Sequence, residues 1–119
     1  PLQAACVAAL NLPDEYYTQL ARDYKERRTK MMSMLSEINL TAQEPEGSYY
    51  VMADFSSWDF DGDDFDFARW LPEHLGVAVV PGSCFYGTSD QGKNVVRFAF
   101  AKKIETLNAA RERLHQRIK

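Results

Sequence analysis

Residues 79–101 read VVPGSCFYGTSDQGKNVVRFAFA, and they contain the features that decide the fold. The segment begins with a short apolar strand, continues through a loop punctuated by glycines, and ends in a second strand. Glycine and proline between two apolar runs are typical of a connection between strands. The second strand carries one charged residue, Arg97, in the middle of an otherwise apolar run.

Side chains alternate along a strand, so Arg97 lies on a different face from its large apolar neighbours. Val96, Phe98 and Phe100 fall on one face, whereas Arg97 shares the other with small or β-branched residues. An unpaired guanidinium is costly to desolvate. Two interpretations are open: Arg97 reaches water or an acid of the same chain from an edge strand, or it binds the carboxylate of a ligand. The planar fork of donors suits the second role.

The order of motifs in the chain resembles one known family. These motifs are GSYYVMAD at 47–54, PGSCFYG at 81–87, Gly92, VRFAF at 96–100 and ETL at 105–107. The series is similar to the C-terminal end of class I and II pyridoxal-phosphate aminotransferases of fold type I. Within that family it looks most like the branch of kynurenine, glutamine and methionine aminotransferases, which includes cysteine-conjugate β-lyases.

The resemblance implies a site for an amino acid or a 2-oxo acid. By this resemblance Arg97 grips the substrate's α-carboxylate, and Phe85 and Tyr86 in the preceding loop are candidates for lining the side-chain pocket. The cofactor would be pyridoxal 5′-phosphate, bound by a large domain upstream of Pro1, and the parent enzyme would be a homodimer. No catalytic, cofactor-binding or metal-binding residue is expected in this chain. Its lysines lie on predicted wet faces or element ends, which does not suit a Schiff-base lysine, and it has no glycine-rich phosphate loop between a strand and a helix. We therefore expect the isolated chain to be inactive.

The length of 119 residues predicts one domain. The chain starts without methionine, inside a predicted apolar helix at 3–10, which favours a fragment of a longer protein. By the resemblance, 1–11 is a remnant of an inter-domain helix and 12–119 is the compact C-terminal small domain.

The composition is that of an ordinary globular chain, with 45% hydrophobic and 26% charged residues. A net charge of -3 without a basic block makes nucleic acid an unexpected partner. No apolar run approaches a membrane span, so we expect no membrane partner and a cytoplasmic location.

The two cysteines, Cys6 and Cys84, do not form a disulfide framework. A catalytic thiol at Cys84 is weakened as a hypothesis because no histidine lies near it in the sequence.

The periodicities predict an α+β fold, an α/β two-layer sandwich like the small domain of an aminotransferase. Helices are expected at 3–10, from 12–15 to about 37, at 65–75 and at 104–118, and strands at 48–55, 77–80 and 94–101, with a linker at 39–47. Because a helix connects the first two strands, we expect them to be parallel, with the third antiparallel between them. The prediction is a three-stranded mixed sheet of order 1-3-2 on a long amphipathic helix and a C-terminal helix.

Two local features accompany the third predicted helix. The acidic segment 56–66 does not have the spacing of a calcium loop, since Gly62 is at the fourth position counted from Asp59. Asp63 or Asp64 is instead expected to cap the helix. Pro72 is expected to kink the helix or to break and restart it, and Gly76 to end it.

Two other functions stay open on the sequence alone. The chain could be a stand-alone binding or regulatory module in which Arg97 holds a small carboxylate effector, because a fold does not define a function. It could also belong to a related pyridoxal-phosphate β-lyase. The identity of the amino donor does not follow from the sequence.

Overall fold

The computed structural model describes residues 1–88 and 90–116, which form four helices and a four-stranded sheet. The helices are α1 (Leu2–Leu10), α2 (Asp14–Glu37), α3 (Asp64–Leu75) and α4 (Ile104–His115). The strands are β1 (Thr41–Ala42), β2 (Tyr50–Asp54), β3 (Val80–Pro81) and β4 (Val95–Ala99). Two short 3₁₀ helices, Ser56–Trp58 and Gly82–Phe85, lie in the connections. The end of the predicted last helix, Arg117 and Ile118, lies outside the described residues, as does Lys119.

The sheet corrects the predicted three-stranded mixed arrangement. It has four strands in the order β1-β2-β4-β3, and every neighbouring pair is antiparallel. The additional strand β1 comes from the predicted linker 39–47, where Thr41 and Ala42 pair with Asp54 and Ala53. Two residues are too few to show the alternation of a strand, so β1 can be recognised only from its pairing with β2 in the structure.

The strand expected at 77–80 is also shifted. Val77 is buried and Ala78 is exposed, and only Val80 and Pro81 pair with β4. The apolar run 77–80 therefore packs into the core at its first residue and pairs with the sheet only at its last residue.

One hydrophobic core lies between the helices and one face of the sheet. Val51, Ala53, Val96 and Phe98 of this face are buried, whereas the alternate residues of β2 and β4 are partly exposed. The helices contribute the buried residues Met31, Met34, Leu35, Phe67, Leu71, Leu107 and Leu114. The other face of the sheet is partly exposed, and Phe85 of the short helix Gly82–Phe85 contacts it at Arg97.

The third helix begins and ends as its sequence signals predict. Asp63 is the N-cap: its Oδ1 accepts from the backbone N–H of Phe65 at 2.9 Å and of Asp66 at 3.1 Å. Gly76 ends the helix in the left-handed region with φ of 66°. Of the two outcomes predicted at Pro72, the break is wrong, because α3 continues to Leu75 and the Gly76 N–H donates to the Pro72 carbonyl at 3.1 Å, whereas the kink stays a prediction. Proline removes one donor, and the turn that follows stays closed.

The N-terminal part of the chain is less well packed than the rest. No residue of α1 is buried, and Leu2, Val7 and Leu10 are all exposed. Tyr17 of α2 joins the two helices by donating to the Ala9 carbonyl. Within the described ranges, no helix combines the length and the apolar character needed to cross a membrane.

Candidate functional site

Arg97 lies in the middle of β4, a strand that is paired on both sides. Its direct neighbours across the sheet are Met52 of β2 and Val80 of β3. The predicted alternation is confirmed, since Val96 and Phe98 are buried in the core and Arg97 is on the opposite, partly exposed face. The interpretation of Arg97 as an edge-strand residue is therefore wrong.

The guanidinium of Arg97 is held between two aromatic rings. Its Cζ lies 4.8 Å from the ring centroid of Phe85 and 5.2 Å from that of Tyr50. A cation over the face of an aromatic ring is attracted by the ring quadrupole. The buried Nε has no hydrogen-bond partner, and in residues 1–88 and 90–116 no carboxylate forms an ion pair with Arg97. Arg97 is thus a partly desolvated cation that forms no ion pair with the described carboxylates.

Close backbone contacts fold the loop that carries Phe85 against β4. A Cβ atom at Gly82 would lie 2.3 Å from the Val95 carbonyl oxygen and 2.8 Å from that of Gly92. Gly92 has φ of 79°, and a Cβ there would lie 2.7 Å from the Tyr86 ring. Only residues without a side chain allow this approach. Gly82 and Gly92 therefore have a steric reason, which is to bring the loop beside Arg97.

The structure brings two of the three predicted site residues together. Phe85 contacts the guanidinium of Arg97, whereas the Tyr86 ring packs against the backbone of Gly92 in the loop. Whether either ring lines a substrate side-chain pocket stays a prediction.

Cys84 has no histidine partner in the described part of the chain. The thiol is free and exposed. His74 stacks on Trp70, and His115 bonds to Glu37 at 2.7 Å. Nucleophilic activation of a thiol needs a base within hydrogen-bond reach, so this geometry does not support a catalytic role for Cys84.

Sequence reasoning missed two residues of the site. Tyr50 is diagonal to Arg97 across the β2–β4 ladder, and its position depends on a register that alternation alone does not define. Asp64 is buried, and its Oδ2 accepts a hydrogen bond from the Ser83 N–H in the Phe85 loop at 2.8 Å. The sequence marked Asp64 only as a possible helix cap.

A separate ion-pair network joins the ends of α2 and α4. Arg111 donates to the two carboxylate oxygens of Glu37 at 2.7 and 2.8 Å. The hydrogen bond from Arg111, followed by that from His115, lowers the pKa of Glu37 from 4.5 to about 2. The same carboxylate raises the pKa of Arg111. This network involves neither Arg97 nor its aromatic partners and has a structural role.

No described residue is identified as a ligand of a metal. The described lysines, from Lys25 to Lys103, lie at exposed or half-buried positions, and two of them, Lys30 and Lys93, pair with Glu26 and Asp90. Across 1–88 and 90–116, no group of three potential metal ligands is brought together. What this surface offers chemically is the guanidinium of Arg97, whose buried Nε has no hydrogen-bond partner among the described residues.

The sequence profile of the family Aminotransferase class I and II matches residues 1–114, which is nearly the whole chain. The chain belongs to the class I and II aminotransferases. The family resemblance noted in the sequence is thereby confirmed. Aminotransferases of this family depend on pyridoxal phosphate.

Individual aminotransferases show the same relationship. The chain is 36% identical over 116 residues to methionine aminotransferase of Escherichia coli (strain K12), covering 98% of this chain and 30% of that enzyme. It is 31% identical over 129 residues to kynurenine–oxoglutarate transaminase 3 of Mus musculus, covering 94% of this chain and 28% of the relative. The solved structure of N-succinyldiaminopimelate aminotransferase from Mycobacterium tuberculosis superposes with a TM-score of 0.85 at 34% identity, covering 94% of this chain and 29% of that one. The chain thus spans less than a third of the aminotransferases that it matches.

Proposed function

We propose that this chain is the C-terminal small domain of a pyridoxal-phosphate-dependent aminotransferase and that Arg97 binds the α-carboxylate of the substrate. The observation that carries the proposal is the position of the Arg97 guanidinium and its lack of a hydrogen-bond partner at Nε. The guanidinium lies on an interior strand between the rings of Phe85 and Tyr50, and its buried Nε has no hydrogen-bond partner.

A carboxylate is the ligand that this arrangement fits best. Two parallel N–H···O bonds from one guanidinium match the two oxygens of a carboxylate, and such charge-assisted bonds are stronger than neutral ones. The rings of Phe85 and Tyr50 cover part of the guanidinium, and this partial desolvation strengthens the attraction between the charges. Arg97 would thereby hold the amino acid or 2-oxo acid in one orientation.

Orientation is the contribution of this domain to the reaction. Fixing the carboxylate limits the rotation of the substrate and so defines how the bonds at its α-carbon face the cofactor, which is worth several kcal/mol in well-aligned reactions. Pyridoxal phosphate, when bound, supplies the electron sink for amino transfer. In this proposal the rest of the parent protein holds the cofactor. The resemblance also leads us to expect a homodimeric, cytoplasmic parent.

The names of the relatives suggest the first substrates to test. Methionine and kynurenine are the donors in two of those names, and oxoglutarate is the acceptor in one. These amino acids share the α-carboxylate and differ in the side chain, so the Arg97 contact should serve both.

The test is to measure kcat/KM of the full-length enzyme for both donors after Arg97→Lys. Lysine keeps the charge but loses the bidentate fork, so we expect kcat/KM to fall roughly 100-fold. Arg27→Lys is the matched control, because Arg27 also has a buried, unpaired Nε and one aromatic ring, Tyr24, at 5.2 Å, but lies on α2. That variant should stay within about twofold of the wild type. An Arg97→Lys enzyme with unchanged kcat/KM would contradict the carboxylate role.

A further inference from the structure

Asp64 is a buried carboxylate that the proposed reaction does not use. It is 1% exposed, and it is the one fully buried charged residue among 1–88 and 90–116. Burying a carboxylate is costly unless hydrogen bonds compensate it. For Asp64, the Ser83 N–H donates such a hydrogen bond to Oδ2 at 2.8 Å. Asp64 therefore occupies a buried position where an apolar residue would be the simpler choice for stability.

Capping of its own helix does not explain Asp64. The neighbouring Asp63 already accepts hydrogen bonds from the N–H groups of Phe65 and Asp66, and the Asp66 carboxylate bonds back to the Asp63 N–H. The bond from Ser83 instead connects the first turn of α3 to a loop that lies 19 residues later in the chain.

That loop determines where Phe85 lies. Gly82 is pressed against β4, and Ser83 is bonded to Asp64, so the short helix Gly82–Phe85 is fixed on two sides. Phe85 itself is 47% exposed, and packing alone holds its ring weakly. The backbone of this turn therefore sets the 4.8 Å contact between the ring and the Arg97 guanidinium.

We propose that Asp64 is a positioning residue that holds Phe85 over Arg97 through the Ser83 N–H, and that it thereby sets the affinity of the site for a substrate carboxylate. This inference rests on the proposed function of Arg97. If the bond to Ser83 is lost, the turn moves, the ring no longer covers the guanidinium, and water competes with the carboxylate for its donors.

The test compares two neighbouring aspartates in the full-length holoenzyme. Asp64→Ala should raise KM for the amino acid about tenfold, with kcat within about threefold of the wild type, because binding of the carboxylate is weakened in ground state and transition state alike. Asp64→Asn keeps an oxygen acceptor for the Ser83 N–H and should restore KM to within about threefold. Asp63→Ala removes the helix cap at the same end of α3 and should lower the melting temperature without changing KM.

A second readout does not depend on turnover. The dissociation constant of 3-phenylpropanoate, a carboxylate without an amino group, should rise in Asp64→Ala by the same factor as KM when measured by titration calorimetry. Phe85→Leu should also weaken this binding, by about fivefold, because the ring over the guanidinium is lost. Since Phe85 is 47% exposed, this variant should fold, and it keeps the test available if Asp64→Ala does not yield folded protein.

The outcomes separate the two proposals. If Arg97→Lys weakens binding but Asp64→Ala and Phe85→Leu do not, the positioning role is overturned and the carboxylate role stands. Equal KM changes in Asp63→Ala and Asp64→Ala would also overturn it, since general destabilisation of α3 would then be the cause. If Arg97→Lys itself has no effect, both proposals fail.

Discussion

Gly82→Ala tests the packing that brings the Phe85 loop to Arg97. The added Cβ would lie 2.3 Å from the Val95 carbonyl oxygen and 2.9 Å from its carbon, both of which belong to the backbone of β4. The methyl group would have to move by about 1 Å to reach an ordinary van der Waals contact. A flexible side chain could yield at this distance, but a strand that is hydrogen-bonded on both sides cannot. We expect a loss of about 3 kcal/mol in the free energy of unfolding, the upper part of the range for overpacking.

The assay is urea unfolding of the 119-residue chain, followed by tryptophan fluorescence. A loss of this size corresponds to a decrease of about 10 °C in the melting temperature of a domain of this length. Gly87→Ala is the matched control in the same loop, because a Cβ there meets nothing within 4 Å and its φ is not positive. It should change the stability by less than about 1 kcal/mol and in the stabilising direction, through the entropy of the unfolded chain.

Equal unfolding midpoints for the two alanine variants would refute the reasoning. The loop would then not be pressed against β4, and the steric explanation of the glycine motif would be wrong. A selective loss in Gly82→Ala would show that this glycine is required for packing and not for loop flexibility.

Two further predictions concern stability away from Arg97. The pKa of Glu37 in the folded state, about 2, is below its ordinary value of 4.5, so its contribution is complete above about pH 4.5 and is lost as the pH falls through 2. The difference in urea midpoint between wild type and Glu37→Gln should therefore shrink over this interval, and a constant difference would contradict the assignment. Phe67→Ala removes a ring that is 0% exposed and stacked on Phe55 at 4.2 Å, and should cost about 3–5 kcal/mol in urea unfolding. Phe65→Ala, at a neighbouring exposed position, should cost less than about 1 kcal/mol; similar losses for both would place Phe67 outside the core.

The sequence predicted the elements whose signals are local. Helices α2 and α3 were expected from apolar periodicity and from end signals such as Gly76, and β4 from its alternation. The face of Arg97 followed from the same alternation. Its role as a candidate ligand residue came from a resemblance spread over several motifs, and the family match confirmed the resemblance.

Where sequence reasoning failed, the deciding contact joins distant parts of the chain. Strand β1 exists because Thr41 and Ala42 find the free edge of β2, and β3 is short because only Val80 and Pro81 reach β4. The expected break at Pro72 did not account for the closing bond from Gly76.

The sequence by itself determined which residues alternate, where helices start and stop, and which cation stands out, because side-chain periodicity and capping act over a few neighbouring residues. Only the tertiary structure decided that Tyr50 and Phe85 enclose Arg97 and that Asp64 bonds to Ser83. These contacts depend on strand register and on how a loop packs against a helix. Register and loop packing are set by the energy of the whole packed chain, which no local segment contains.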